Sequence, residues 1–139
     1  MTKTMLATLA LGAAVAFAGP AFAQKMKATL DGKSEVPATT SAATGTADLD
    51  YDAASKKLTW KVTYSGLSGP ATAAHFHGPA EAGKNAGVKV PIPNAGTSPA
   101  EGSAVLTDEQ AADLVAGKYY INVHTAANPG GEIRGQVTK

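Results

Sequence analysis

Between Thr44 and Tyr64 hydrophobic and polar positions alternate, with one break. Thr44, Thr46, Asp48 and Asp50 fall on one side of an extended chain, and Gly45, Ala47, Leu49 and Tyr51 on the other. After the turn-forming AASKK, the run KLTWKVTYSGL places Leu58, Trp60, Val62 and Tyr64 on one face. A repeat of two is the repeat of a β-strand. Bounded by Gly, Pro, Ser and Asp clusters, it predicts antiparallel strands with one buried face. KMKATLD (25–31), GSAVLT, KYYINVHT and the closing GEIRGQVTK extend the pattern. GKSEVPATTSA reads as a turn-rich connection, in which Pro37 argues against a central strand.

One segment departs from the repeat. In LTDEQAADLVAGK, Thr107 is an N-cap with Gln110 three residues on, the spacing of a capping box. Asp108 and Glu109 suit the positive end of the helix dipole, and Gly117 suits a helix stop. Ala111, Leu114 and Val115 make a narrow apolar stripe. The expected fold is therefore all-β: a Greek-key antiparallel β-sandwich with one short crossover helix.

Residues 1–23, MTKTMLATLALGAAVAFAGPAFA, stand apart from this domain. A basic start at Lys3, an apolar run from Met5 to Ala18 and Ala21-Phe22-Ala23 at the end describe a secretory signal peptide cleaved after Ala23. The apolar run is shorter than the roughly 20 residues a membrane span needs. The expectation is a periplasmic or secreted protein whose domain occupies residues 24–139, with no membrane attachment after cleavage. Losing Lys3 from the 12 basic residues leaves 11 against 11 acidic ones, a formal charge of zero. A neutral chain without a basic run argues against nucleic acid or anionic lipid as a partner. Cysteine is absent, so neither disulfides nor thiolate chemistry enter the picture.

Only three histidines occur: His75 and His77 in GPATAAHFHGP, and His124 in KYYINVHT. Alternation puts Ala71, Ala73, His75 and His77 on one face of a strand while Phe76 points to the core. In the second segment Tyr119, Ile121 and Val123 form the apolar face, leaving Tyr120, Asn122 and His124 on the other. Two imidazoles one residue apart on a strand lie about 6–7 Å apart at Cα, close enough to converge on one ion. Imidazole is a preferred ligand of copper, zinc, iron and nickel. Both segments run into Gly- and Asn-rich loops, HGPAEAGKNAG and HTAANPGGE, suited to close backbone approach. These residues select His75, His77 and His124 as a candidate metal site.

At the same residues the chain resembles the chordin-type (CHRD) domain family. EVP with a following TGTA, AHFHGP, and YINVHT followed by NPGGEIRG carry the likeness, which runs from about Met26 to Val137. It implies an exported β-domain and says little about activity. A second similarity, confined to the site, is to copper–zinc superoxide dismutases, Greek-key sandwiches in which an H-x-H strand and a later strand supply copper ligands. In that family an arginine near the chain end guides the anion. The resemblance implies the same order here, with Arg134 in GEIRGQV as the guide and a small anion such as superoxide as substrate. Arg134 shares its strand face with Glu132 and Gln136, so a surface ion pair with Glu132 or another carboxylate is the alternative for it.

The chain departs from those dismutases by having three histidines in all, no cysteine and no second ligand set. A site here holds one ion, with a fourth position open or filled by water, Met26 or Glu35. Three neutral imidazoles suit copper first and zinc second, whereas magnesium and calcium prefer oxygen. No GxSxG elbow, phosphate loop or carboxylate dyad is legible. Lys84 and Lys89 lie in a long irregular stretch after His77 and add positive charge there. Three functions stay open: a copper-dependent superoxide dismutase, a non-catalytic copper-handling protein, and an extracellular interaction module without metal.

Overall fold

Eight strands and one helix follow one another along the chain. They are β1 (Gln24–Asp31), β2 (Thr44–Asp52), β3 (Lys57–Ser65), β4 (Ala71–His77), β5 (Val88–Pro91), β6 (Ala100–Val105), α1 (Asp108–Val115), β7 (Tyr120–Thr125) and β8 (Ile133–Gln136). The structure, a computed structural model, describes Gly12 and residues 23–139; the rest of the expected leader lies outside the described residues. All neighbouring strands are antiparallel, in the order β5-β4-β7-β8-β1-β2-β3-β6.

That sheet curls on itself into a nearly closed barrel. Trp60 on β3 and Phe76 on β4 stand near opposite ends of the strand order, yet their rings meet edge-on at 5.1 Å. The Tyr64 hydroxyl on β3 donates to the Ala95 carbonyl beyond β5, tying the two ends together. Leu30, Leu49, Leu58, Val62, Phe76, Leu114, Ile121, Val123 and Ile133 fill the space between, fully buried. Each such side chain contributes about 1.5–3 kcal/mol through its removal from water. The all-β class with a single short helix is as the alternation predicts. The two layers expected of a sandwich are here two halves of one sheet, continuous through the β8–β1 pairing.

The predicted faces of β2 and β3 are observed: Ala47, Leu49, Tyr51, Leu58, Trp60 and Val62 point inward, while Thr44, Thr46 and Asp48 are exposed. Register then sets Lys27, Asp48, Lys61 and Glu101 side by side across β1, β2, β3 and β6, a row of alternating charge. Opposite charges facing across strands favour this register by a few tenths of a kcal/mol each. A slip of one residue would turn the whole apolar set outward, a far larger cost.

Helix α1 begins as its sequence requires. The Thr107 side chain accepts from the Gln110 N–H, and the Gln110 side chain accepts from the Thr107 N–H. Gly117 ends it at φ +76, in the left-handed region. Ala111 and Leu114 are buried, but Val115 is 40% exposed, so the apolar stripe is narrower than expected. The long stretch after His77, which reads as irregular, contains the four-residue edge strand β5. Pro91 at its end cannot donate to a further strand, which suits an edge.

Candidate metal centre

The histidines belong to adjacent strands. On β4, Phe76 is buried in the core, so His75 and His77 project from the opposite face; on β7, Ile121 and Val123 do the same for Tyr120, Asn122 and His124. Cross-strand register places His75 opposite Asn122, His77 opposite Tyr120 and Ala73 opposite His124. His124 is thus diagonal to His75, and the methyl group of Ala73 leaves its ring free to lean across. The His75 and His124 ring centroids lie 4.9 Å apart, those of His75 and His77 5.5 Å. One ring nitrogen from each of the three falls within 4.8 Å of the other two.

The tightest approach is His75 Nδ1 to His124 Nε2, 3.1 Å. Two nitrogens held about 2.0–2.1 Å from one tetrahedral ion stand roughly 3.3 Å apart, so this pair already has the spacing of a chelate. The His124 Nδ1–H donates to the Pro129 carbonyl at 2.9 Å, which leaves Nε2 as the lone-pair nitrogen facing the cluster. An outer hydrogen bond of that kind fixes the tautomer of metal-binding histidines. His77 has an acceptor at each end: the Ala86 carbonyl lies 2.9 Å from Nδ1, and Asn122 Oδ1 lies 2.9 Å from Nε2. Burial, reinforced by the neighbouring rings, holds His75 below the usual histidine range. Burial does the same for His77, outweighing the hydrogen bonds to the Ala86 carbonyl and Asn122 Oδ1 that favour its charged form. Neutral rings are the form that binds metal.

Behind the histidines lies a covered layer of polar side chains. The Tyr120 ring stacks on His77 with centroids 4.8 Å apart and planes 2° from parallel, and the Arg134 guanidinium lies over the Tyr120 ring at 3.5 Å. Arg134 is 2% exposed; it donates to Asn85 Oδ1 at 2.8 Å and to the Lys84 carbonyl. Glu35 is buried too. Its carboxyl is raised from the ordinary value by burial, against the opposing pull of Arg134. Glu35 stays outside the three-histidine group, and Met26 packs in the hydrophobic core rather than at the site.

Two expectations about Arg134 change on this geometry. It is no surface residue, and it does not pair with Glu132. The fully buried Glu132 carboxylate instead accepts from Ser41 Oγ at 2.8 Å, Thr125 Oγ1 at 2.7 Å, Asn128 Nδ2 at 3.0 Å and the Ser68 N–H at 3.0 Å, with the Ser68 hydroxyl in addition. Burial alone would raise this carboxyl, but the donors from Ser68, Thr125 and Ser41 hold it down to about 2. Nor does Arg134 sit opposite His124; its partner across β7 is Asn122. The physical reason is cover. Lys84 and Asn85, from the loop after β4, fold over the outer face of β8 and take up the guanidinium.

Asn122 and Tyr120 were not singled out by sequence reasoning as part of the site. The signal was present, since both share the outward face of β7 with His124. An asparagine and a tyrosine at outward positions look like ordinary surface residues until the loops are placed.

A curled antiparallel sheet with three imidazoles on one outer face, framed by the loops after β4 and β7, defines the class of domain. The CHRD domain profile matches residues 26–137, and the chain belongs to that family. No curated protein and no solved structure gives a match to it. Among the described residues no helix is long and apolar enough to cross a membrane.

Proposed function

We propose that the protein binds one copper ion through His75, His77 and His124, in a compartment outside the cytoplasm reached through the leader at residues 1–23. The observation that carries this reading is the convergence of three imidazole nitrogens within 4.8 Å, two of them at chelate spacing. No carboxylate or thiolate joins the set, so copper is preferred and zinc ranks second. His75 and His124 are only half-buried, which leaves a coordination position facing solvent.

That open side favours a second reading, superoxide dismutation, since one-electron exchange is the chemistry a bound copper ion would supply. Arg134 would serve it as buried positive charge behind His77. Its side chain is committed to Asn85, Lys84 and Tyr120, so contact with an incoming anion is not part of the proposal.

The test is to load residues 24–139 with copper(II), strip loose ion with a chelator, and measure retained metal and superoxide consumption. The copper-binding reading expects one ion per chain. Loss of superoxide at a rate that falls with added salt supports dismutation; retained copper with no rate above buffer leaves copper handling. No retained metal overturns both and returns the domain to an interaction role.

A further inference from the structure

Resting on the three-histidine reading, we propose that Glu132 is a positioning residue for the metal centre: through the turn joining β7 to β8 it holds the His124 ring toward His75. Glu132 is fully buried, and among the described residues no cation pairs with its carboxylate. A buried charge without a counter-ion is costly unless hydrogen bonds surround it. Here donors from three loops do so. Oε2 accepts from Ser41 Oγ, after β1, and from the Ser68 N–H, after β3. Oε1 accepts from the Ser68 hydroxyl, from Thr125 Oγ1 at 2.7 Å and from Asn128 Nδ2 at 3.0 Å. Only a carboxylate accepts on both oxygens; an amide would turn N–H groups against either Asn128 or the Ser68 N–H.

The route from this carboxylate to the histidine is short. Thr125 and Asn128 close the turn on itself, each N–H donating to the other's carbonyl at 3.3 and 3.2 Å. The Gly131 N–H returns to the Asn128 carbonyl at 3.0 Å. Between them Pro129, whose ring fixes its φ, presents its carbonyl to His124 Nδ1 at 2.9 Å. Among the described residues this is the one polar anchor His124 has outside the imidazole cluster. Glu132 grips the turn on both sides of that carbonyl. Its side chain holds Asn128 just before Pro129, and its own N–H is fastened to the Val123 carbonyl at 2.7 Å just after. Release the carboxylate, and the anchor of the ring moves with the turn.

The experiment is a double-mutant cycle on folded protein: copper(II) affinity, by competition with a chelator, for the wild-type chain, Glu132→Ala, His124→Ala and the double variant. A residue that acts through His124 lowers affinity by about 10–100-fold, the range for outer partners of metal-binding histidines. Once His124 is gone, the same substitution lowers it no further. An equal loss in both backgrounds, or no loss in either, overturns the positioning role and leaves the site standing. A wild-type chain that retains no copper overturns the site itself, and the role with it.

Should Glu132→Ala fail to fold, two milder variants carry the test, each taking one donor from the carboxylate. Asn128→Ala cuts the tie to the turn that bears Pro129; Ser41→Ala cuts a tie to a different loop. The first is expected to weaken copper binding and the second to leave it unchanged, whatever either does to the melting temperature. Affinities that fall equally, or not at all, contradict the proposal. Nitrogen-15 NMR of the metal-free chain gives a readout independent of copper. The His124 Nδ1–H should exchange with solvent faster in Asn128→Ala than in the wild type or in Ser41→Ala. One exchange rate for all three would show that the carboxylate does not hold the ring.

Discussion

The outward positions of β2 and β3 and those of β7 and β8 obey the same alternation and meet opposite fates. On β2 and β3 they stay in water: Thr44, Thr46, Asp48, Lys57, Thr59, Lys61 and Thr63 are exposed. On β7 and β8, Tyr120, Asn122 and Arg134 are as buried as core residues, under the loops that follow Asp31, His77 and Thr125. An exposed charge row needs no exact partner, because water solvates whatever the neighbours leave open. A covered polar row must be satisfied internally, since an unpartnered buried polar group costs about 1–3 kcal/mol. The second face therefore accumulates specific pairs, and a set of converging imidazoles is what remains pointed outward. Cover, not alternation, distinguishes the two faces.

The largest effect on this contrast is expected at the histidines. His75→Ala, His77→Ala and His124→Ala should each lower copper affinity by more than about 100-fold, beyond the range of outer partners. The circular dichroism spectrum should be retained, because none of these rings fills the apolar core. Calorimetric titration checks it, and a variant with full affinity removes its residue from the site.

Next in size is Arg134→Ala. It leaves Asn85 Oδ1 and the Lys84 carbonyl without their donor and empties the face of Tyr120, for an expected loss of about 1–3 kcal/mol in denaturant unfolding. Lys61→Ala, on the other outer face, is expected to cost under about 1 kcal/mol. Equal losses would dissolve the distinction between the two faces.

Acid offers a smaller, continuous probe of the covered side. The Glu132 carboxyl is held down to about 2, below its ordinary 4.5, so the stability it contributes is complete above about 4.5 and is lost as pH falls toward 2. In Glu132→Gln that part of the acid dependence should be absent. For His75 and His77, held below 6.5, metal-free stability should be complete above about 6.5 and decline as pH drops through their lower native values. Melting temperatures across the range, compared with His75→Ala, measure it; a melting temperature that rises as pH falls below 6.5 would contradict the sign.

Much of the fold was legible because the inward positions carry it. Leu49, Trp60, Phe76 and Ile121 each follow from their neighbours by a repeat of two, and the capping box at Thr107 and Gln110 places α1 to the residue. Strand β5 was not legible: four residues with Val88 exposed and Pro91 at the end carry too little pattern. The convergence of His75, His77 and His124 could be read from strand faces alone. The environment of Arg134 could not, because it depends on where Lys84 and Asn85 fold, which no periodicity encodes. Asn122 was hidden for the same reason. Its neighbours Gly131 and Glu35 lie on loops that only tertiary structure brings together.

The central claim is that the outer face of β4 and β7 is a three-imidazole metal centre. Pulsed electron paramagnetic resonance of the copper(II)-loaded domain tests it most directly, because remote imidazole nitrogens modulate the echo and can be counted. One copper per chain with three coupled histidine nitrogens, falling to two in His124→Ala, is the predicted result. A copper signal unchanged by His124→Ala, or coupled to no histidine nitrogen, would contradict it.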